Sequence, residues 1–340
     1  MVTMSDVARA AGVSPMTVSN VVNGRSGVSE ATRARVAEAV SALGYRANAS
    51  ARRLRTGRTG AVGLLVPEVA ASYYTHLAGR LSRGLEPHGY RVVLERTGAT
   101  RAGEERALSP ERLGAYDAVA VSPVVLDGEE VRRAVGERPC VLLGERPLRG
   151  AHPQVAMDDV GGSVLAVRHL LEHGARRVAV VGGRPARAGA DMPSLRTEGY
   201  RWALLDAGAV VDERLVVPVS AFDARGGFEA TRRLLEGAPD ADALFVLTDA
   251  AATGALRALA DLGRDVPGDV QVVGFDNDEG SAYTVPRLTT VDPGNAAMAE
   301  AVVDLLLAQL RSGPVPARLL RPSGAHLVVR ESTRAVGPRT

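Results

Sequence analysis

Apolar and polar positions fall into two regimes along the chain. Up to residue 44 the apolar residues recur at helical spacing in three short runs. Val7, Ala8 and Ala11 share one face behind Thr3, an N-cap residue followed three positions later by Asp6 as in a capping box. Gly12 permits a sharp turn, and Ser14 with Pro15 opens a second helix on which Val18, Val21 and Val22 face inward. Met16, Thr17, Ser19, Asn20 and Asn23 are then left facing outward. Ser29 caps a third helix with Ala31, Val36, Ala39, Val40 and Leu43 as its buried stripe and Gly44 as its stop. Two helices joined by a glycine turn, the second offering small polar side chains, form the helix-turn-helix pattern.

From residue 61 the pattern changes to short, nearly continuous apolar runs alternating with helical stretches. AVGLLV (61–66), RVVLE (91–95), DAVAV (117–121) and PCVLL (139–143) read as strands, with helices such as 76–85 and 128–136 between them. The series restarts after Met157 with helix 161–174 and strand RVAVVGG. It continues through helices near 194–207, 226–236 and 250–262, with strands LVVPV, ALFVLT and VQVVGF between and after them. Apolar strands alternating with helices imply parallel sheets covered on both faces, here as two similar α/β lobes with a cleft between.

Charge divides the chain at the same place. Residues 1–60 hold nine arginines against Asp6, Glu30 and Glu38, a net of +6, while the whole chain is +2, which leaves −4 for the rest. A basic head on a mildly acidic body is the footprint of a phosphate-binding module. The basic residues are all arginine, which says nothing about mechanism. No run of 18 apolar residues is present, so no membrane span is expected. The single cysteine, Cys140, sits in an apolar run and reads as a buried thiol in a reducing compartment. No glycine-rich phosphate loop follows the first strand, where GLLVPEVA stands, and this argues against a nucleotide-dependent enzyme. His169 and His173 have the spacing of a metal pair, but Glu172 is no convincing third ligand, so neither a metal nor a cofactor is expected.

The head segment DVARAAGVSPMTVSNVVNG, continued by VSEATRARVAEAVSALGYRANASARRLRTGRTGAVGLLVP, resembles the lactose-repressor/galactose-repressor (LacI/GalR) family of bacterial transcription regulators. The likeness resumes at ERP (145–147), HLLEHGARRVAVVGG (169–183), VVGFDND (272–278) and LTTV (288–291). It implies an all-α helix-turn-helix headpiece on an α/β, periplasmic-binding-protein-like body of two doubly wound parallel-sheet lobes. The division it implies is 1–46 for the DNA-binding domain and 47–60 for a hinge helix or linker. The first effector-binding lobe takes 61–158 with 290–313, the second 159–289 with 314–332, and 333–340 is a tail. The chain would cross between lobes three times, with LTTV and the following helix returning to the first lobe and HLVV (326–329) to the second.

The same resemblance assigns residues to roles. Pro15, Met16 and Asn20 occupy base-reading positions: Met16 suits a thymine methyl and Asn20 an adenine edge. Thr17, Ser19, Asn23, Ser29 and Thr32 suit phosphates, and Tyr45 belongs to the same DNA-binding set. In the hinge, Asn48, Ala51, Arg52, Leu54 and Arg55 would form a short helix on DNA, with Leu54 as a minor-groove wedge. Relatives usually carry Pro where Ala47 stands.

Ligands of open parallel sheets bind beyond the carboxyl ends of the strands, which directs attention to Ser122, Asp158 and their neighbours. Arg196, Asp249 and Asp276 match the family's effector-contacting positions, and Tyr73 and Phe222 its aromatic ones. Carboxylates and Arg suit the hydroxyls of a sugar, and an aromatic face suits its C–H face. Asp249 also reads as a plain helix cap, and Asp276 as a plain turn residue.

The expected partners are a pseudo-palindromic double-stranded DNA operator, a sugar-like effector and a second copy of the chain in a homodimer, with no membrane. The expected place of action is the bacterial cytoplasm, on the nucleoid. The alternatives are a co-repressed regulator that binds a nucleobase, nucleoside or sugar phosphate, and a sugar-binding transport protein.

Overall fold

The computed structural model describes residues 2–22, 26–45, 58–69, 72–148, 152–185, 189, 191–320 and 324–335. They divide into two compact units, Met1–Thr59 and Gly60–Thr340.

The first unit holds α1 (Met4–Ala11), α2 (Pro15–Val22) and α3 (Glu30–Ala42). The capping box forms: the Asp6 N–H donates to Thr3 Oγ1 at 3.3 Å and the Thr3 N–H donates to Asp6 Oδ2 at 2.9 Å. Gly12 ends α1 in the left-handed region at φ +63°. The Thr17 N–H donates to Ser14 Oγ, and the Thr32 N–H to Ser29 Oγ, so both later caps also form. Val7, Ala8, Ala11, Val18, Val36 and Ala39 make the core.

Three expectations fail here. Ala31 and Leu43 are exposed rather than part of the stripe, and Ser19 is buried beside Val18 instead of facing out. Leu43 is already the C-cap of α3. The chain folds back there, the Tyr45 N–H donates to Val40 O, and Tyr45 packs on the core in place of Leu43. Ser19 follows Val18 by 100° around α2, still within the face that α1 and α3 cover. The hinge residues Asn48, Ala51, Arg52, Leu54 and Arg55, and Asn23, lie outside the described residues.

The second unit contains β1 (Ala61–Val66), α4 (Ser72–Leu85), β2 (Arg91–Arg96), α5 (Arg101–Ala107), α6 (Pro110–Leu113), β3 (Ala118–Val121), α7 (Gly128–Val135), β4 (Cys140–Leu143) and β5 (Gln154–Val155). It continues with α8 (Asp159–Glu172), β6 (Val178–Val181), α9 (Met192–Asp206), β7 (Val216–Val217), α10 (Ala224–Gly237), β8 (Ala243–Val246), α11 (Asp249–Asp261), β9 (Gln271–Phe275), β10 (Thr289–Asp292), α12 (Asn295–Ser312), β11 (Leu319–Leu320) and β12 (His326–Val328).

Two six-stranded sheets result, β2-β1-β3-β4-β5-β11 and β7-β6-β8-β9-β10-β12. Their strand orders coincide. All described pairings are parallel except β10 with β12, the closing pair of the second sheet. β1, β3, β4, β6, β8 and β9 are buried along their whole length, as sheets covered on both faces require. Cys140 is buried in β4, where its N–H donates to Gln309 Oε1 of α12 and burial pushes its thiol pKa up.

The chain crosses between lobes after Met157, after Asp292, and between Leu320 and His326. Two expected boundaries therefore move. LTTV does not return to the first lobe: Thr289–Asp292 pairs with β9 in the second sheet, and the crossing follows it. Residues 319–320, expected in the second lobe, pair with β5 in the first. The alternation of apolar residues marks a strand but does not say which sheet it joins; that is fixed by α12, whose apolar face packs on α4 and on β3 to β5.

Candidate functional site

The second lobe's part of the cleft is built around Arg196. It projects from the first turns of α9 and is 2% exposed. Its Nε donates to Asp159 Oδ1 at 2.6 Å and its Nη2 to Asp276 Oδ1 at 3.2 Å, and Nη1 donates to the Leu247 carbonyl. Its guanidinium lies 3.6 Å from the centroid of the Phe275 ring, a cation–π contact in a dry setting. Burial works against the Arg196 charge, but Asp276 and Asp159 more than offset it and hold the guanidinium protonated. Asp276 is itself pushed up to about 7 by burial, against the pull of Arg196.

The first lobe presents Tyr73, Tyr74, Ser122 and Glu145. The two tyrosine rings meet edge-on with centroids 4.9 Å apart, and Tyr74 Oη and Ser122 Oγ are hydrogen-bonded at 3.0 Å. Burial raises the Tyr73 phenol pKa well above its ordinary value, and Tyr74, Glu145, Asp276 and Asp159 raise it further. Glu145 is raised to about 7, first by burial and then by Asp159. Phe222 is half-buried and packs on the shared apolar core. The lobes also touch directly, His76 Nδ1 lying 3.2 Å from Asp278 Oδ1. Beside that contact opens a cavity of about 480 Å³ walled by His76, Asp249, Thr253, Asp278, Ser281 and Tyr283; Arg196 is not part of its wall.

Arg196 and Asp276 are thus drawn together by the fold, and Tyr73 and Ser122 meet through Tyr74 on the first lobe. Asp158 joins neither group. It is an exposed N-cap whose carboxylate accepts the Gly161 N–H at 3.0 Å, and its neighbour Asp159 turns inward to Arg196. Sequence reading missed Asp159, although two consecutive acids at a helix start must point about 100° apart, so one can cap while the other faces the core. Asp249 is buried with both oxygens engaged, Oδ1 by the Thr290 hydroxyl at 2.6 Å and Oδ2 by the Asp278 N–H at 2.8 Å. The cap of α11 is Thr248, not Asp249. Gly274 makes room for this arrangement, since a Cβ there would stand 2.2 Å from Asp249 Oδ1. Asp249 therefore pins the turn that carries Asp276.

In the head, Met16 is 67% exposed at the start of α2, beside exposed Pro15, with Thr17 and Asn20 half-buried. The Thr17 and Thr32 hydroxyls are each 2.9 Å from a cap serine oxygen, of Ser14 and Ser29 respectively. Ser19 is too deeply placed to reach a phosphate without a shift of α2. The rings of His169 and His173 stack at 3.9 Å, with His169 Nε2 bonded to Thr333 Oγ1 and His173 Nδ1 to the His169 carbonyl. Burial, and then His173, lower the His169 pKa to about 4, so the His169 ring is a neutral packing element. Among the described residues no helix is long and apolar enough to cross a membrane.

A helix-turn-helix unit joined in one chain to a two-lobed α/β body defines a ligand-responsive DNA-binding protein. Comparison with known proteins makes the class specific. Residues 3–48 match the family model for bacterial regulatory proteins of the lacI family, and residues 167–333 that for a periplasmic binding protein-like domain. The HTH-type transcriptional regulator CelR of Thermobifida fusca is 36% identical, over 97% of this chain and 98% of that protein. A solved CelR–cellobiose complex is 33% identical with a TM-score of 0.68, over 98% of this chain and all of that one. The lac repressor dimer bound to operator is 26% identical with a TM-score of 0.77, over 98% and 99% of the two chains. The chain belongs to the LacI family of bacterial transcriptional regulators. It is a DNA-binding regulator and not an enzyme.

Proposed function

We propose that this chain is a repressor whose operator affinity is set by a neutral sugar, most simply a disaccharide, bound between the lobes. One observation carries the reading: the second lobe holds a buried Arg196–Asp159–Asp276 network, and the first presents tyrosines and a serine hydroxyl. Three acids, Glu145, Asp159 and Asp276, against one arginine repel an anion, which disfavours a sugar phosphate. Neutral hydroxyls can donate to these carboxylates and accept from Arg196. Tyr73 and Phe222 supply the aromatic faces, and Ser122 a further hydroxyl. Asp158 and Asp249 contribute by capping and pinning.

In the head, Pro15, Met16 and Asn20 read base edges, while Thr17, Asn23, Ser29 and Thr32 hold phosphates and Tyr45 seats the third helix. The hinge residues Asn48, Ala51, Arg52, Leu54 and Arg55 dock in the minor groove. The protein works as a homodimer on a pseudo-palindromic site, on DNA in the bacterial cytoplasm. Residues 61–292 and their returns from 295 onward form the effector-binding body.

The test pairs calorimetric titration of the full chain with cellobiose and fluorescence anisotropy on DNA from its own promoter. Heat of binding together with lost anisotropy is the expected result. Cellobiose that binds and tightens the DNA complex would make the protein co-repressed. A sugar phosphate that binds better than the neutral sugar would overturn the charge argument.

A further inference from the structure

The turn that carries Asp276 is tied through a single side chain, Asn277, to the second crossover and to the strand that the third crossover enters. Asp276 and Asn277 both adopt positive φ, +108° and +50°, a region that L residues seldom occupy and in which asparagine is among the better tolerated. The Asn277 Nδ2 donates to Asp292 Oδ2 at 3.0 Å, and its Oδ1 accepts from Arg330 Nη2 at 2.8 Å. Only one orientation of the amide satisfies both, because a carboxylate can only accept and a guanidinium can only donate.

The first partner stands at a crossover and the second at the far end of the strand that the third crossover enters. Asp292 is the last residue of β10, and its other oxygen accepts the N–H groups of Gly294 and Asn295, where the chain leaves for the first lobe. Arg330 follows β12 at the end away from the third crossover, since His326 pairs with Asp292 and Val328 with Thr290, and is fixed by Leu288 O and Ser281 Oγ. The two crossing segments run side by side: a Cβ on Gly294 would stand 3.6 Å from the Gly324 backbone. Asn295 closes the circuit by donating from Nδ2 to the Asp276 carbonyl at 2.7 Å.

We propose that Asn277 is a positioning residue that locks the ligand-facing turn to the second crossover and to β12, the strand entered by the third, so that displacement of Asp276 is passed to the hinge between the lobes. This rests on the reading of Asp276 as a ligand contact. Asparagine suits the task because it combines tolerance of positive φ with one donor and one acceptor. Aspartate would keep only the acceptor, and glycine neither.

The experiment is hydrogen exchange on the full chain, first without ligand. Asn277→Gly accepts the backbone conformation and removes only the amide. It is expected to speed exchange by at least about tenfold at residues 294–298 and also at 324–328, neither of which it deletes. Asn277→Asp keeps the acceptor for Arg330, so it should spare 324–328 while loosening 294–298. Asn295→Ala should loosen 276–278 in return, as reciprocal coupling demands. Faster exchange confined to 276–278 in Asn277→Gly, the mark of a merely local role, would overturn the proposal, as would no change at all. Repeating the series with cellobiose separates the two readings. If cellobiose leaves exchange in the unaltered protein unchanged, the ligand assignment fails, while the ligand-free data still decide whether the lock exists.

Discussion

The two lobes share one strand order, yet they bring unlike chemistry to the space between them. On the first, Tyr73, Tyr74 and Ser122 form a wall of rings and hydroxyls whose partners lie within the same lobe. On the second, Arg196, Asp159 and Asp276 form a buried ionic network, with Asp249 and Asn277 bracing the turn behind it. A network of that kind is costly to assemble, because buried charges forfeit hydration and regain it only through good mutual geometry. The second lobe is thus a platform built before any ligand arrives. The first lobe is a cheaper surface that can move against it.

That contrast can be broken by substitution. The largest effect is expected from Arg196→Ala, which strands Asp159 and Asp276 without their cation. Loss of one partner of a buried pair typically costs about 3–5 kcal/mol, and urea denaturation of the body should show a loss of that order. Ligand response should vanish with it. Gly274→Ala tests the brace: its methyl would meet Asp249 Oδ1, and a loss of roughly 1–3 kcal/mol is expected, with weakened ligand affinity.

Proton linkage gives a third test. Folded Glu145 and Asp276 hold their protons up to about 7, against roughly 4 in an unfolded chain. Folding therefore takes up protons between those values. The stability from these groups is fully present below about pH 4 and is lost as pH rises through about 7. The body's Tm should fall from pH 5 to pH 8, and Glu145→Gln should flatten that slope; an unchanged slope would remove Glu145 from the account. The smallest effect belongs to the first lobe. Tyr74→Phe gives up one hydrogen bond to Ser122 and should cost about 1 kcal/mol or less by thermal denaturation. A larger loss would mean that the first lobe is as prebuilt as the second.

Local chemistry was legible in the sequence wherever one residue decides it. The caps at Thr3, Ser14 and Ser29, the stop at Gly12 and the fully apolar strands all follow from side-chain type and spacing. Placement that depends on distant contacts was not. The sheet joined by β10 and the fate of Leu43 are set by what packs on them, and Asp158 differs from Asp159 only by a rotation about one helix. The short helices α5 and α6 carry too few turns for a periodic signal. The pairing of Asn277 with Asp292 and Arg330 spans 15 and 53 residues and left no local mark at all.

The repeated crossing also has a consequence for how the protein is made. The apolar core of the head is drawn from residues 4–45 alone, so that unit can fold as soon as it emerges from the ribosome. The first sheet must wait. Its strand β5 is synthesised by residue 155, but the helix that covers β3 to β5 ends at Ser312 and its outer partner β11 at Leu320. Throughout translation of the second lobe, the first exposes an unpaired strand edge and an uncovered apolar face, the kind of surface that invites aggregation. A nascent chain stalled before residue 295 would thus present a folded head on a body with neither lobe complete.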